Sequence, residues 1–258
     1  MAGRERVRLG PGSVVVADLH IDVERAGAER AFTRWLAGLS GAPRLVVLGD
    51  LFEFWVGRSE LSSPGAQAVT AALSALRGRG TEIDVVLGNR DFLLDSSFER
   101  ASGARVHAQG LVGAAGKEER VLLLHGDELS TLDRRYQRLR ALLRSRPVRW
   151  AAPRVPVFLA RRVARSLRRA SRREVASKPS AVVAMQEGEA EREALAEGAG
   201  VLVCGHAHRA QDCRLASGLR WIVLDAFGGA LDELRIGPDG ELSLGSTASR
   251  REKEGAAG

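Results

Sequence analysis

Aspartate, asparagine and histidine side chains recur along the chain, each directly after a short apolar run. Seven of them are candidate ligands of metal ions: Asp18, His20, Asp50, Asn89, His125, His206 and His208. The set offers oxygen and imidazole nitrogen but no thiolate, which suits Mn, Fe, Zn and similar divalent ions. Seven ligands are too many for one tetrahedral ion, but they fit two ions about 3.5–4 Å apart that share a bridging carboxylate. The sequence therefore predicts a two-metal centre that orients a water for in-line attack on phosphorus.

The histidine count strengthens this prediction. The chain contains five histidines, and only His107 lies outside the set. We interpret His107 as a surface or structural residue. A single histidine is more often structural than a ligand, but four of them beside two aspartates and an asparagine are hard to explain that way. The acidic neighbours Glu53, Asp91 and Asp127 either orient the imidazoles or cap helices and turns, and the sequence does not separate these two roles.

Short runs rich in Val and Leu predict the strands that position these residues. The runs cover residues 13–17, 45–48, 83–87, 121–124, 201–204 and 221–224. Apolar residues at helical spacing predict helices over residues 29–39, 66–76 and 185–196. Alternation of strands and helices favours a layered α/β fold. Because ligands of such sheets bind outside the carboxyl ends of the strands, five strand ends should converge on one edge.

The order D-x-H, GD, GN, H and GHxH resembles the calcineurin-like metallophosphoesterases. The resemblance implies an α/β fold, a four-layered α/β/β/α sandwich, with a dinuclear centre in which Asp50 bridges. It implies one metal site made of Asp18, His20, Asp50 and His208. It implies a second metal site made of Asp50, Asn89, His125 and His206, the four residues also expected to be catalytic.

One departure narrows the resemblance to a branch. Much of the superfamily has histidine after the asparagine, where this chain has Arg90. Arginine stays charged and cannot protonate a leaving group, but it can hold a phosphate with two hydrogen bonds. The segments GNRDFL (88–93), LGDLFEFWVG (48–57) and LLHGDELSTLDRRYQRLR (123–140) are similar to the UDP-2,3-diacylglucosamine diphosphatases of lipid A biosynthesis. This similarity runs over residues 14–227.

The branch implies a substrate, a metal and a set of contacts. The expected reaction is hydrolysis of UDP-2,3-diacylglucosamine to UMP and 2,3-diacylglucosamine 1-phosphate with two divalent ions, expected to be Mn²⁺. The attack is expected on the phosphorus nearer the uridine. The substrate-binding residues that the resemblance implies are Asn89, Arg90, Asp133, Ser171, Lys178 and His206. Val175 stands where the branch tends to have a polar residue.

The positive charge of the chain is concentrated in one segment. Residues 134–178 contain sixteen Lys or Arg and one acidic residue, and the rest of the chain holds 23 basic against 31 acidic residues. Apolar residues at helical spacing run through this segment, so it predicts a cationic amphipathic helix. We expect residues 1–131 and 181–245 to form the core, 132–180 a helical lid insertion, and 246–258 a disordered tail. The inserted segment caps the active site, lies on an anionic membrane surface, or packs its apolar stripe on the core, and the first two roles are compatible.

Two other functions fit parts of the sequence. A phosphodiesterase of nucleic acid or cyclic nucleotide would use the same metal centre, and a non-catalytic nucleic-acid-binding module would use the basic segment. Aromatic residues that stack bases are sparse in that segment, so we expect no nucleic acid partner. No run is long enough to span a membrane, and the N-terminus lacks the apolar region of a secretory signal. We therefore expect a cytoplasmic monomer, peripheral on the inner face of the bacterial inner membrane.

Overall fold

A computed structural model describes residues 3–39, 41–116 and 119–248 of the chain. Its strands are β1 (Glu5–Leu9), β2 (Val14–Val16), β3 (Arg44–Leu48), β4 (Glu82–Val86), β5 (Arg105–His107), β6 (Leu111–Ala115), β7 (Glu119–Leu123), β8 (Val201–Cys204), β9 (Gln211–Arg214), β10 (Arg220–Val223), β11 (Glu233–Ile236) and β12 (Leu242–Gly245). Its helices are α1 (Arg30–Gly38), α2 (Pro64–Gly78), α3 (Ser96–Ser102), α4 (Arg134–Leu143), α5 (Arg146–Ala151), α6 (Val157–Ser177), α7 (Ser180–Val183) and α8 (Glu187–Glu197). Short 3₁₀ turns occupy Arg58–Ser62, Asp127–Leu129 and Ala152–Arg154.

The strands form two six-stranded sheets. The first has the order β1-β6-β7-β8-β10-β9, and the second has the order β12-β11-β2-β3-β4-β5. Neighbours β2, β3, β4 and β5 run parallel, as do β7, β8 and β10. Parallel neighbours end at the same edge of a sheet, so the residues that follow these strands are brought together.

Alternation along the strands separates three hydrophobic layers. In β2, Val15 faces the other sheet, whereas Val14 and Val16 face the helices. The layer between the sheets also contains Val46 and Val203, all fully buried. Side chains of α1, α2 and α3 cover the second sheet, and Ala190 and Ala194 of α8 cover the first. The predicted α/β/β/α sandwich is therefore confirmed. Each fully buried Val or Leu stabilises it by about 1.5–3 kcal/mol relative to exposure.

Local sequence signals fix the helix ends that frame the site. The Ser63 side chain accepts a hydrogen bond from the backbone of Ala66 ahead of Pro64 at the start of α2. Asp95 caps α3 in the same way, and Asp133 caps α4 through the backbone N of Tyr136 at 3.1 Å. All six predicted strands and three predicted helices are confirmed within a few residues.

The elements that the sequence pattern missed lie mostly at the edges. Strand β9 is largely exposed and polar, and β5 has only three residues, so neither gives an alternating apolar pattern. Helix α3 has seven residues, which is too short for a clear helical period.

The inserted segment is helical, as expected, but it buries little. No residue of α4 or α5 is buried. Phe158, Leu159, Val163 and Leu167 of α6 remain 71%, 43%, 49% and 37% exposed. None of the helices within the described ranges has the length and apolar character required to cross a bilayer.

The packed chain continues past the predicted start of the tail at residue 246. Thr247 is fully buried, and its backbone N donates to Asp232 Oδ1 at 2.8 Å. Its hydroxyl donates to the other carboxylate oxygen of Asp232 at 2.5 Å. The remainder of the predicted tail, 249–258, lies outside the described residues.

Candidate metal centre

The seven predicted ligands lie at one edge of the sandwich. In the second sheet, Asp18, Asp50 and Asn89 follow the neighbouring strands β2, β3 and β4. In the first sheet, His125 and His206 follow the neighbouring strands β7 and β8. His20 and His208 come two residues after Asp18 and His206. The two sheets thus contribute ligands from opposite sides of one site.

The first group of ligands contains Asp18, His20 and His208. Their ligand atoms lie within 4.8 Å of one another. His208 Nε2 is 3.4 Å from Asp18 Oδ1, and His20 Nε2 is 3.8 Å from the same oxygen. The two imidazole Nε2 atoms are 2.9 Å apart. Without a cation, one imidazole must donate its proton to the other, whereas a cation would accept a lone pair from each.

The second group is built around Asp50. His125 Nε2 is 3.8 Å from Asp50 Oδ1, and Asp18, Asp50 and His125 again offer ligand atoms within 4.8 Å of one another. The His125 Nδ1 atom is 2.9 Å from the carbonyl oxygen of Leu48, a contact that places the proton on Nδ1 and turns Nε2 toward the site. His206 lies beside this pair, with its ring centroid 5.1 Å from that of His125.

The amide of Asn89 faces the same group. Its inner atom is 3.0 Å from His125 Nε2 and 2.9 Å from Asp50 Oδ2. Placed there, the amide oxygen faces the carboxylate of Asp50, a contact between two oxygens that a shared cation would stabilise. The rotated amide would instead donate its NH₂ hydrogens to the Asp50 carboxylate. A metal-binding state and a hydrogen-bonded state therefore differ by one rotation of this side chain.

The backbone at the ligands is strained. Within the described ranges, the non-glycine residues with positive φ are Asp18 (53°), His20 (50°), Asp50 (51°), His206 (69°) and His208 (50°). Each such conformation costs on the order of 1–3 kcal/mol and persists where the surroundings determine it. All five are predicted ligands, so the strain is confined to this site.

Neighbouring glycines make room for this packing. A Cβ atom at Gly88 would collide with the Asp50 carboxylate, and one at Gly205 would collide with the Asp18 carboxylate. At Gly49, where φ is +80°, a Cβ would lie 2.5 Å from His125 Nδ1. The glycines of the GD, GN and GHxH motifs are thus required for close approach of the loops.

Burial and charge set opposite protonation preferences among the histidines. Burial, reinforced by the positive charge of Arg90, lowers the pKa of His20 to about 3. Burial and the charge of His125 lower the pKa of His206 to about 4. Both imidazoles are therefore neutral at pH 7 and offer lone pairs.

The pair of Asp50 and His125 retains protons instead. Burial opposes the charged form of His125, but the carboxylates of Asp50, Asp18 and Asp127 outweigh it and raise its pKa to about 9. Burial, partly offset by His125 and reinforced by Asp91, raises the pKa of Asp50 to about 7. A divalent cation would have to displace protons from this pair, as is usual for a metal site.

The donor set fits divalent metal ions. Among the described residues, Asp18 Oδ1 and His20 Nδ1 are buried atoms that form no hydrogen bond. Buried polar atoms without partners are costly, and a cation beside Asp18 would compensate for the carboxylate oxygen. The closeness of the ligand atoms, the strain confined to them and this orphaned oxygen all point to the same occupant.

The predicted substrate contacts are only partly assembled around the centre. Arg90 lies beside it, with Nε 3.2 Å from Asp50 Oδ2 and Nη1 2.9 Å from Glu53 Oε2. Lys178 and Asp133 lie on the inserted segment and pair with each other at 2.7 Å. The side chains of Ser171 and Val175 lie outside the described part of the chain.

The acidic neighbours resolve into three different roles. Asp91 binds backbone rather than imidazole, because its carboxylate accepts from the N–H groups of Leu51 and Gly88 at 2.8 Å each. Glu53 binds Arg90 and lies 3.7 Å from His20 Nδ1, so it supports both side chains. Asp127 binds the inserted helix α4 instead of a ligand histidine.

Sequence reasoning missed Asp225 as part of the site. Its carboxylate accepts from the backbone N of Ala210 at 3.0 Å and of Ala230 at 3.2 Å, which joins the His206–His208 loop to the loop after β10. The available signal was that Asp225 follows β10 as the other ligands follow their strands. His107, by contrast, is structural as expected, since it is buried and bonds Asp84 at 2.7 Å.

Comparison with known proteins gives a consistent set of relatives. No family model matches the chain. A protein of Pseudomonas putida strain KT2440 named UDP-2,3-diacylglucosamine hydrolase is 36% identical over 197 residues, covering 76% of this chain and 81% of the relative. The protein of that name from Azotobacter vinelandii is 37% identical over 201 residues, covering 76% and 81%. That from Aeromonas salmonicida is 36% identical over 199 residues, covering 76% and 77%.

Solved structures are more distant. A dimetal phosphatase from Danio rerio is 15% identical with a TM-score of 0.47, covering 91% of this chain and 96% of its own. Vps29 from Entamoeba histolytica complexed with zinc is 13% identical with a TM-score of 0.38, covering 90% and 96%. Similarity at this level supports no inference about function.

Proposed function

The chain belongs to the UDP-2,3-diacylglucosamine hydrolase family, and we propose that it cleaves the pyrophosphate of UDP-2,3-diacylglucosamine into UMP and 2,3-diacylglucosamine 1-phosphate. The observation that carries this proposal is the cluster of strand-end ligands around Asp18 and Asp50: His20, His125 and His208 offer ligand atoms within 4.8 Å of one or both of these carboxylates, and Asn89 and His206 lie beside His125. A family relationship alone would not supply a reactive centre. A buried group of oxygen and nitrogen ligands, beside an arginine that Asp50 and Glu53 hold in place and a helical insertion, supplies the parts that such a reaction needs.

We assign the ligands to two divalent ions, proposed to be Mn²⁺. Asp18, His20 and His208 hold the first ion, Asn89, His125 and His206 hold the second, and Asp50 bridges both. When bound, the ions supply activation of the attacking water and neutralisation of charge on the phosphoryl group. The 2.9 Å approach of His20 to His208 and the Asn89 amide facing His125 support this division.

Arg90 is proposed to hold the phosphate chain. Its guanidinium is fixed by Asp50 and Glu53, so its remaining N–H groups are oriented before the substrate arrives. The leaving group after attack at the phosphorus nearer the uridine is a sugar phosphate. The second pKa of such a phosphate is about 6, so it departs at neutral pH without a proton donor. An arginine is therefore sufficient where other members of the superfamily have histidine.

The remaining contacts with the substrate are proposed to come from residues beside the metal centre and from the insertion. His206 and Asn89 face the phosphates from the metal side. Lys178, Asp133 and Ser171 contact the substrate from the insertion. The pairing of Lys178 Nζ with Asp133 at 2.7 Å keeps two of these groups together near the start of α4.

The insertion is proposed to receive the two acyl chains and to bring the protein to an anionic membrane surface. Support comes from the exposed apolar residues of α6 beside a row of arginines. Such a surface gains about 1 kcal/mol per basic residue near anionic lipid, in addition to the apolar contacts. We propose on this basis that the protein works at the cytoplasmic face of the bacterial inner membrane, where a diacylated substrate would be embedded.

The test is an assay of UMP release from UDP-2,3-diacylglucosamine by metal-stripped protein, with and without Mn²⁺. We expect release only with the divalent ion, and none from the Asp50→Ala variant. Release that is unaffected by metal removal, or no release from folded protein that has bound Mn²⁺, would contradict the proposal.

A further inference from the structure

A buried polar network surrounds Asp127, two residues beyond His125. Asp127 is fully buried, and its Oδ2 atom accepts hydrogen bonds from Tyr136 Oη at 2.9 Å, Arg140 Nε at 2.6 Å and Arg144 Nη2 at 3.3 Å. The three donors are spaced by four residues. They therefore project from one face of α4 and its C-terminal end. The carboxylate of Asp127, in the loop that follows β7, thus binds three side chains from one face of the inserted helix α4 and its C-terminal end.

The same helix reaches a second metal-binding loop. Arg144 Nη2 also donates to the carbonyl oxygen of Gly88 at 2.9 Å, immediately before Asn89. Gln137 donates to the backbone carbonyl of Asp127 at 2.8 Å. The guanidinium of Arg144 therefore bridges the loop of His125, from the first sheet, and the loop of Asn89, from the second sheet.

The network is ionic as well as buried. Asp127 Oδ2 forms ion pairs with Arg140 Nε at 2.6 Å and with Arg144 Nη2 at 3.3 Å. A buried carboxylate that stays charged keeps its donors in place, because each lost donor would leave a charge without a partner.

Helix α6 is attached in a different way. Within the described residues, Arg161 ties it to the core by pairing with the buried Glu60 and with Glu24 at 3.1 Å. That contact is made to Glu24 and to the Arg58–Ser62 turn, not to either of the loops that Arg144 joins. Among the described residues of α4, α5 and α6, those of α4 and its C-terminal Arg144 are the ones that hydrogen-bond to the loops carrying the candidate ligands Asn89 and His125.

From this geometry we infer that Asp127 and Arg144 are positioning residues for the second metal site, the one formed by Asn89, His125 and His206 with Asp50. The inference rests on the proposed function for the division of ligands between two sites. It makes α4 a part of the catalytic unit, although α4 lies in the inserted segment. Within the described residues, no hydrogen bond or ion pair joins Asp18, His20 or His208 to Asp127 or Arg144, so the first metal site should depend on this network much less than the second.

The test is a calorimetric titration of metal-stripped full-length protein with Mn²⁺, without substrate. Wild type should bind two ions. Arg144→Gln should weaken one site on the order of 10- to 100-fold, the range typical of residues that orient metal ligands, and leave the other within twofold. The matched control is Arg138→Gln, since Arg138 is an exposed residue of the same helix, and both of its sites should match wild type.

A purely structural role would produce a different result. Equal weakening of both sites, or no weakening of either, in a variant whose circular dichroism matches wild type would overturn the inference. If Arg144→Gln does not fold, Arg144→Lys decides by the same criterion, because lysine keeps the charge but cannot bridge the two loops with a planar fork.

The titration also separates this inference from the proposed reaction. Two bound ions in wild type, one of them weakened in Arg144→Gln, would support the inference even if no UMP were released. Fewer than two ions in wild type would overturn it, because there would be no second site for α4 to hold.

Discussion

The candidate metal centre at the strand ends and the outer helix α6 differ in burial and in how firmly contacts hold them in place. At the centre, Asp18 and Asp50 are 1% and 2% exposed. Asp91 joins the loops of Asp50 and Asn89, Asp225 holds the loop that follows His208, and Asp127 ties the loop of His125 to α4. In α6, Phe158 is 71% exposed, and Arg161 supplies the described attachment to the core. Chemistry at phosphorus requires ligands held within tenths of an ångström, whereas a surface for acyl chains must stay accessible. The difference agrees with the proposed roles, in which the centre performs the reaction and α6 receives the acyl chains.

The largest expected effect comes from removing the shared ligand of the centre. Asp50→Ala should lower UMP release by more than about 100-fold, beyond the range typical of residues that only orient ligands. It removes a carboxylate common to both proposed sites and leaves His125 without its nearest anionic partner. The measurement is the initial rate at saturating Mn²⁺.

The control for that variant is Asp239→Ala, an exposed aspartate in the turn between β11 and β12. Its rate should equal that of wild type. An Asp50→Ala protein that retains a tenth of the wild-type rate would contradict the claim that the strand-end centre, rather than another region, performs the reaction.

The second effect should appear only with lipid. Replacing Phe158 and Leu159 together with Ser should raise KM for the diacylated substrate by about 10- to 100-fold. This corresponds to about half of the 1.5–3 kcal/mol that full burial of each apolar side chain contributes, because an acyl chain covers only one side of each residue. The rate on the soluble phosphodiester bis(4-nitrophenyl) phosphate should stay within twofold. Thermal stability should hardly change, because both side chains are exposed in the free protein.

Leu195→Ser provides the matched control, since Leu195 is 82% exposed on α8, far from α6 in sequence. Its KM for the lipid should be unchanged. Equal losses on the lipid and the soluble substrate in the Phe158 and Leu159 variant would show that α6 serves the core rather than the acyl chains.

The sequence predicted which candidate ligands lie together, but not the contacts that support them. Asp18 and His125 could be recognised because each directly follows an apolar run that predicts a strand. This pattern is visible in the sequence without knowledge of the packing. The left-handed backbone at His20 and His206 could not be predicted, since it depends on contacts between loops of different strands. The spacing of Tyr136, Arg140 and Arg144 was visible in the sequence. However, this spacing could not be distinguished from that of the other basic residues in the segment, because a single sequence does not show which face of a helix contacts a buried carboxylate.

A third effect is the pH dependence of metal binding. His125, with a pKa raised to about 9, and Asp50, with a pKa raised to about 7, carry protons that compete with the cation. Affinity for Mn²⁺ should therefore rise with pH by up to about tenfold per unit while a single proton is displaced. Titrations in two buffers of different ionisation enthalpy count the released protons. Affinity that is constant between about pH 6 and 8 would contradict these protonation states.

The smallest effect concerns the attachment of α6. Arg161→Gln should release Glu60 from its pair and weaken the docking of α6 by about 1 kcal/mol, or about fivefold in local opening. Hydrogen exchange of α6 amides measures this opening, and Arg162→Gln, at an exposed position of the same helix, is the control. Faster exchange at the metal-binding loops as well would show that the two regions are more tightly coupled than their contacts indicate.

The most direct test of the metal centre is anomalous diffraction from Mn²⁺-soaked crystals at the manganese absorption edge. Two peaks about 3.5–4 Å apart are predicted, both bonded to Asp50, with His20 and His208 on one and Asn89 and His125 on the other. A single peak, or peaks at which Asp50 binds neither ion, would contradict the two-metal centre on which the proposed reaction depends.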